Sequence, residues 1–200
     1  MLANLVPVFG VLFLHWEVFP LMFLFWSENV IVGAFNVLKM LLASPGSVEA
    51  WVGICFNIPF FCIYYGMVTY IHGVFVVILF GGGMNAVAPL PPDPEIFWRI
   101  MRENHLGWAT LSLAVSRGIS FVTNYLWNGE YRRANLQQLM RQPYGRIAVL
   151  HIAILGGGLL MQTLHSPVVG LLLLVALKIF LDLLGHLAER KKFAEPSSTA

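Results

Sequence analysis

"VFPLMFLFWSENVIVGAFNVLKMLL", residues 18–42, decides the fold. Ser27, Glu28, Asn29, Asn36 and Lys39 are its only plainly polar side chains. At the rise of an α-helix the stretch reaches about 37 Å, more than the ~30 Å of bilayer hydrocarbon. Pro20 falls in the first turn, where a missing N–H costs nothing. Glu28 stands mid-helix, and an ionised side chain at that depth needs a partner or a polar cavity. What meets Glu28 is the question on which function turns.

Outward from this segment, the 200-residue chain is 58% hydrophobic and 11% charged, with mean hydropathy +0.75. Soluble domains carry about 25% charged residues, so the composition predicts an integral membrane protein and leaves no length for a separate soluble domain. The net charge of +2 gives no footprint for nucleic acid. Cys55 and Cys62 lie on one predicted helix, roughly 10 Å apart along its axis, too far for a disulfide, and read as packing residues. Residues 1–16 lack a basic n-region, so the first segment reads as a retained helix.

Six helices are expected, at about 3–16, 18–42, 48–80, 106–127, 144–164 and 167–188. "SPGS" (44–47) is a turn, and Pro59 is expected to kink the third helix. "GGGMNAVAPLPPDPE" (81–95) is a Gly/Pro loop, followed by an amphipathic stretch at 95–104 whose Ile96, Ile100, Phe97 and Met101 form one face. "NGEYRRANLQQLMRQPYGR" (128–146) reads as a polar, basic connection. The expected organisation is one transmembrane domain, 1–190, and a disordered polar tail, 191–200. Arg132, Arg133, Arg141 and Arg146 in that connection, with Arg190, Lys191 and Lys192 in the tail, place both regions and both termini in the cytoplasm of a cell with an inner membrane. No internal repeat or inverted pair of halves is visible.

Counting depth along the helices brings Glu28, His72, Arg117 and Lys178 to one slab near the midplane, roughly 15 Å from the outer ends, with His151 and Asp182 about one turn below. Lys178 and Asp182 are spaced i,i+4, Arg117–Ser120–Asn124 and Tyr65–Thr69–His72 also share helix faces, and Asn29 adjoins Glu28. The expected site is therefore Glu28, Asn29, His72, Arg117, His151, Lys178 and Asp182. Charge neutralisation alone would fix helix register, with Glu28 on Arg117 or Lys178. The functional readings ask more. A divalent metal would take His72, His151 and Glu28, although no local ligand motif marks it. An anion or headgroup would use Arg117 and Lys178, and a proton path would use Glu28, His72 and Asp182. Haem between His151 and His165, or a pigment ligand, is less favoured, because Ser166–Pro167 ends the helix at His165. Ser112, Ser116 and Ser120 line one helix without a nucleophile motif. On the outward corners, His15, Glu17, His105 and His165 form a second candidate set for a metal or a partner.

"FWSENVIVGAFNVLKML" (25–41), "FFCIYYGMVTYIHGVFVVILFG" (60–81), "PYGRIAVLHIAILGGG" (143–158) and "SPVVGLLLLVALKIFLDLLGH" (166–186) together resemble a prokaryotic six-helix integral membrane family known only as a domain of unknown function. The resemblance spans 1–190 and is carried by Glu28–Asn29, Tyr65–Gly66 with His72–Gly73, Arg146 with His151, and Lys178 with Asp182. It implies a fold and no activity. The expectation is an all-α, polytopic inner-membrane protein with six spans and a short interfacial helix. Its intramembrane polar cluster handles a small ligand, a metal ion or a proton. The alternative is an accessory subunit of a larger membrane complex of respiratory or photosynthetic type, with a purely structural polar interior. Partners under either reading are the lipid bilayer, other complex subunits or a second copy of the chain.

Overall fold

The long apolar runs form long helices. The computed structural model describes residues 17–43, 48–88, 93–132, 136–164 and 176. Among these, every regular element is helical: α1 (Val18–Leu42), α2 (Val48–Phe80), α3 (Glu95–Glu103), α4 (Gly107–Ser120) and α5 (Leu136–Leu164), with single 3-10 turns at Met84–Val87 and Glu130–Arg132. A π-helical segment, Phe121–Trp127, continues α4 to the end of the fourth helix expected from the sequence. The chain divides into two compact units, 19–151 and 1–18 with 152–200. The first unit holds α2, α3, α4 and all but the first residue of α1. The predicted helices at 3–16 and 167–188 and the tail lie outside the described residues, and the second unit is described only at 17–18, along the end of α5 and at residue 176.

Within 19–151, side-chain bonds fix how the helices run. Trp26 Nε1 donates to the Thr69 carbonyl at 2.7 Å, and Tyr65 Oη donates to the Asn29 carbonyl at 2.8 Å, so α1 and α2 are antiparallel. His72 meets His151 at an offset of 79 residues, and the Tyr65 and Tyr144 rings, 6.4 Å apart, keep the same offset, so α2 and α5 are parallel. Arg117 bonds Glu28 and Tyr125 Oη donates to the Lys39 carbonyl, at offsets of 89 and 86 residues, so α4 runs with α1. The helices α1, α2, α4 and α5 thus alternate in direction.

α5 begins at Leu136, eight residues before the predicted span. Leu136, Leu139, Met140 and Pro143 recur at helical spacing, and Leu139 and Pro143 are buried. The basic connection is therefore half helix. Pro143 has no N–H to offer the carbonyl one turn back, that of Leu139. Asn36 Nδ2 donates to that carbonyl at 2.8 Å and replaces the lost bond. This contact lies at the edge of the main apolar cluster, where Met40, Ala43, Phe61, Tyr65, Leu139 and Ile147 meet. Pro59 lies inside α2 without ending it.

α3 docks by its apolar face. Ile96 and Ile100 are buried, whereas Trp98, Arg99 and Arg102 are exposed. Phe97 stacks on Trp26 at 4.7 Å and lies 6.4 Å from Phe23. This nest needs a glycine opposite: a Cβ on Gly73 would sit 2.7 Å from Trp26 and 2.9 Å from Phe97. Two rows of apolar side chains point out instead. Phe56, Phe60, Ile63 and Met67 form an exposed stripe on α2, and Trp108, Leu111, Val115 and Ile119 form another on α4. Cys55 and Cys62 are free thiols on exposed positions, not interior packing residues.

Candidate functional site

Two polar pairs lie between these helices. Glu28, buried on α1, accepts a hydrogen bond from Arg117 Nη2 of α4 at 2.6 Å. The carboxylate side chain is 11% exposed and the guanidinium 41%, so the pair runs from the interior outward. Glu28 therefore has Arg117 as a partner, one of the two expected cations. The second pair is imidazole on imidazole. His72 Nε2 and His151 Nδ1 are 2.7 Å apart, with the rings at 88° and their centroids 5.0 Å apart. His72 is buried and His151 is exposed. One ring carries the shared proton and the other its lone pair.

The register separates the pairs in depth. Trp26 lies opposite Thr69 and Asn29 opposite Tyr65, so His72 falls level with Phe23. That is about five residues, or roughly 7 Å, toward the N-terminal end of α1 from Glu28. His151 is level with His72 and not a turn below it. Helix ends were a poor depth gauge; bonds between helices are a direct one.

Asn29 Nδ2 donates to the Phe25 carbonyl at 2.9 Å, while its Oδ1 is buried with no partner among the described residues. Thr69 Oγ1 is in the same state, and His72 Nδ1 lies by the Val68 carbonyl without closing a well-formed hydrogen bond. Three under-satisfied polar atoms thus follow one seam between α1 and α2. Each costs about 1–3 kcal/mol if left dry, so the seam favours water or a small polar guest.

The metal trio His72, His151 and Glu28 is not assembled. Among the described residues, no group of three His, Cys, Asp or Glu side chains converges as a metal site requires. Glu28 is bound to Arg117, and the facing imidazole nitrogens, 2.7 Å apart, are closer than the roughly 3.3 Å that two ligands span across a tetrahedral zinc. Lys178, Asp182, His15 and His165 lie outside the described residues. Glu17 is exposed at the start of α1. His105 is exposed at the turn between α3 and α4, with φ at 53°. Ser112 Oγ donates to the Trp108 carbonyl at 2.8 Å, the usual use of a serine in an apolar helix. Lys39 was not among the sequence candidates; its spacing from Val32, Phe35 and Asn36 along one α1 face was the available signal.

Among the described residues the regular structure is all helical, and two helices, Val18–Leu42 and Trp51–Phe80, are long and apolar enough to cross a membrane. Over residues 1–199 the sequence matches the Family of unknown function (DUF6498), and the chain belongs to that family. No curated protein and no solved structure matches it.

Proposed function

We propose that the chain is a six-span inner-membrane protein with both termini in the cytoplasm, and that its His72–His151 pair moves protons between the interior and the surface. The exposed apolar stripes on α2 and α4 support the membrane reading. In its most apolar window only 33% of α2 is buried, whereas the core helix of a soluble protein is mostly covered. Glu28, Asn29, Asn36, Thr69 and His72 lie buried between the helices, where a bilayer favours polar groups. The basic residues of the 128–146 connection and the tail support the orientation.

The observation that carries the proton reading is the 2.7 Å bond between a buried and an exposed imidazole. A proton enters at His151 Nε2. The N–H proton of His151 Nδ1 passes to His72 Nε2, and His72 releases its Nδ1 proton to a water taken up in the seam beside the Thr69 hydroxyl, one turn away on the same face. One charge crosses the pair: each N–H bond broken is matched by an N–H bond formed on the next ring or, at the last step, by an O–H bond on that water. Ring reorientation or the reverse hop resets it. Arg117 bonds Glu28 and keeps α1 and α4 in register, and that pair lies about five residues along α1 from the level of the imidazoles, so the carboxylate takes no part in the transfer. An accessory-subunit role would place function on the exposed aromatic stripe of α2, which lipid covers equally well.

The test is proton flux into vesicles holding the purified protein and a pH-sensitive dye, driven by a potassium diffusion potential. Flux is expected in the wild type and is expected to fall about tenfold or more in His72→Ala and His151→Ala, as loss of a proton-transfer group does. Wild-type vesicles no leakier than empty ones, or variants as active as the wild type, would refute the reading.

A further inference from the structure

We infer that the cleft between α1, α4 and α5 binds a phosphate- or carboxylate-bearing anion, most readily the headgroup of an anionic lipid. This goes beyond proton transfer and does not depend on it. The cleft encloses about 270 Å³ and is lined by Asn36 and Lys39 of α1, Arg117 and Ser120 of α4, and the rings of Phe35 and Phe121. Its α1 residues recur at helical spacing, as do Arg117, Ser120 and Phe121, so two stripes face each other. The π-helical segment begins at Phe121 and sets its ring 5.7 Å from Phe35, forming an apolar wall.

The donors outnumber the acceptors. Arg117 gives one nitrogen to Glu28 and keeps 41% of its side chain exposed. Ser120 Oγ accepts from Asn124 Nδ2 at 3.1 Å, which leaves its own hydrogen to donate. Lys39 has no carboxylate in ion-pair range among the described residues, and its Nζ lies 5.4 Å from the Tyr125 ring centroid. A ring face attracts a cation but accepts none of its three N–H bonds in line. Two cations, one of them neutralised by Glu28, leave one positive charge to be met. Lipid-facing lysines can simply extend to the interface. Here Arg117, Ser120 and the Phe35–Phe121 wall line the same cleft as Lys39, which extension alone does not require. An anionic headgroup at the cleft with its chain along the rings fits both surfaces, and the cytoplasmic leaflet, where the proposed orientation puts Lys39, is the anionic one.

The full chain, purified in a neutral detergent, is titrated separately with phosphatidylglycerol, phosphatidylcholine and inorganic phosphate, with bound adducts counted by native mass spectrometry. Phosphatidylglycerol is expected to bind more tightly than phosphatidylcholine, and Lys39→Gln is expected to weaken it about tenfold, the scale of one charge-assisted hydrogen bond. Lys39→Arg is expected to retain binding. Ser120→Ala, on the exposed side of α4, gives a second variant that leaves the Glu28–Arg117 bond untouched and is expected to weaken binding in the same direction. Lys39-dependent binding of inorganic phosphate alone would support the anion site and assign it to a free anion. Equal affinity for both lipids with no phosphate bound, or binding unchanged in both Lys39→Gln and Ser120→Ala, would overturn it.

Discussion

Glu28→Gln is expected to destabilise the protein by about 2–4 kcal/mol, because it strands Arg117 between helices without a counter-charge. The lower end allows for the 41% exposure of the guanidinium, which can turn outward. Arg117→Gln alone is expected to cost a similar amount by removing the cation bonded to the carboxylate, whose side chain is only 11% exposed. The double variant Glu28→Gln with Arg117→Gln removes both charges and keeps hydrogen-bonding groups in place, so most of the loss is expected to return. Unfolding in mixed micelles, read by circular dichroism across the four-variant cycle, gives the coupling directly. Additive losses would show that the two side chains do not hold each other.

Gly33→Ala is expected to cost about 1–3 kcal/mol, more than a single methyl group usually does, because it overpacks a site that cannot yield. A Cβ there would collide with the Tyr65 ring, with Cδ1 at 2.9 Å and Cζ at 3.1 Å among the atoms it meets. Tyr65 is buried, stacked on Phe61 at 4.8 Å and tied through its hydroxyl to the Asn29 carbonyl. Moving the ring breaks the stack or the bond. In a Tyr65→Ala background the same substitution is expected to cost almost nothing, since the obstructing ring is gone. An equal cost in both backgrounds would mean that Gly33 matters for its backbone and not for its closeness to α2.

The first two long helices were legible to the residue, because an uninterrupted apolar run of 25 or more residues between turn signals admits one reading. The amphipathic α3 was legible for the same reason on a smaller scale. The start of α5 was not: "RQPYGR" has the composition of a connection, and only the Asn36 bond to the Leu139 carbonyl shows how a helix passes through Pro143. For the site, depth counting brought Glu28 to Arg117 and His72 to His151. It could not show that the imidazoles pair with each other, because helix rotation is set by packing and not by sequence depth. It also misplaced His151 by a turn and assembled a metal trio that the register pulls apart. Lys39 escaped notice because a lysine three residues from a helix end reads as an anchor, and its neighbours in the cleft come from α4.

The proposed proton path requires His72 and His151 to act as one proton-sharing unit. ¹⁵N spectra of ring-labelled histidines in bilayers, recorded across pH, test it most directly. If the pair is bonded, His72 Nε2 and His151 Nδ1 are expected to shift together through shared titration steps, and His151→Ala is expected to change the His72 resonances and remove the shared step. Two histidines that titrate independently, with His72 unaffected by His151→Ala, would rule out a shared proton between them.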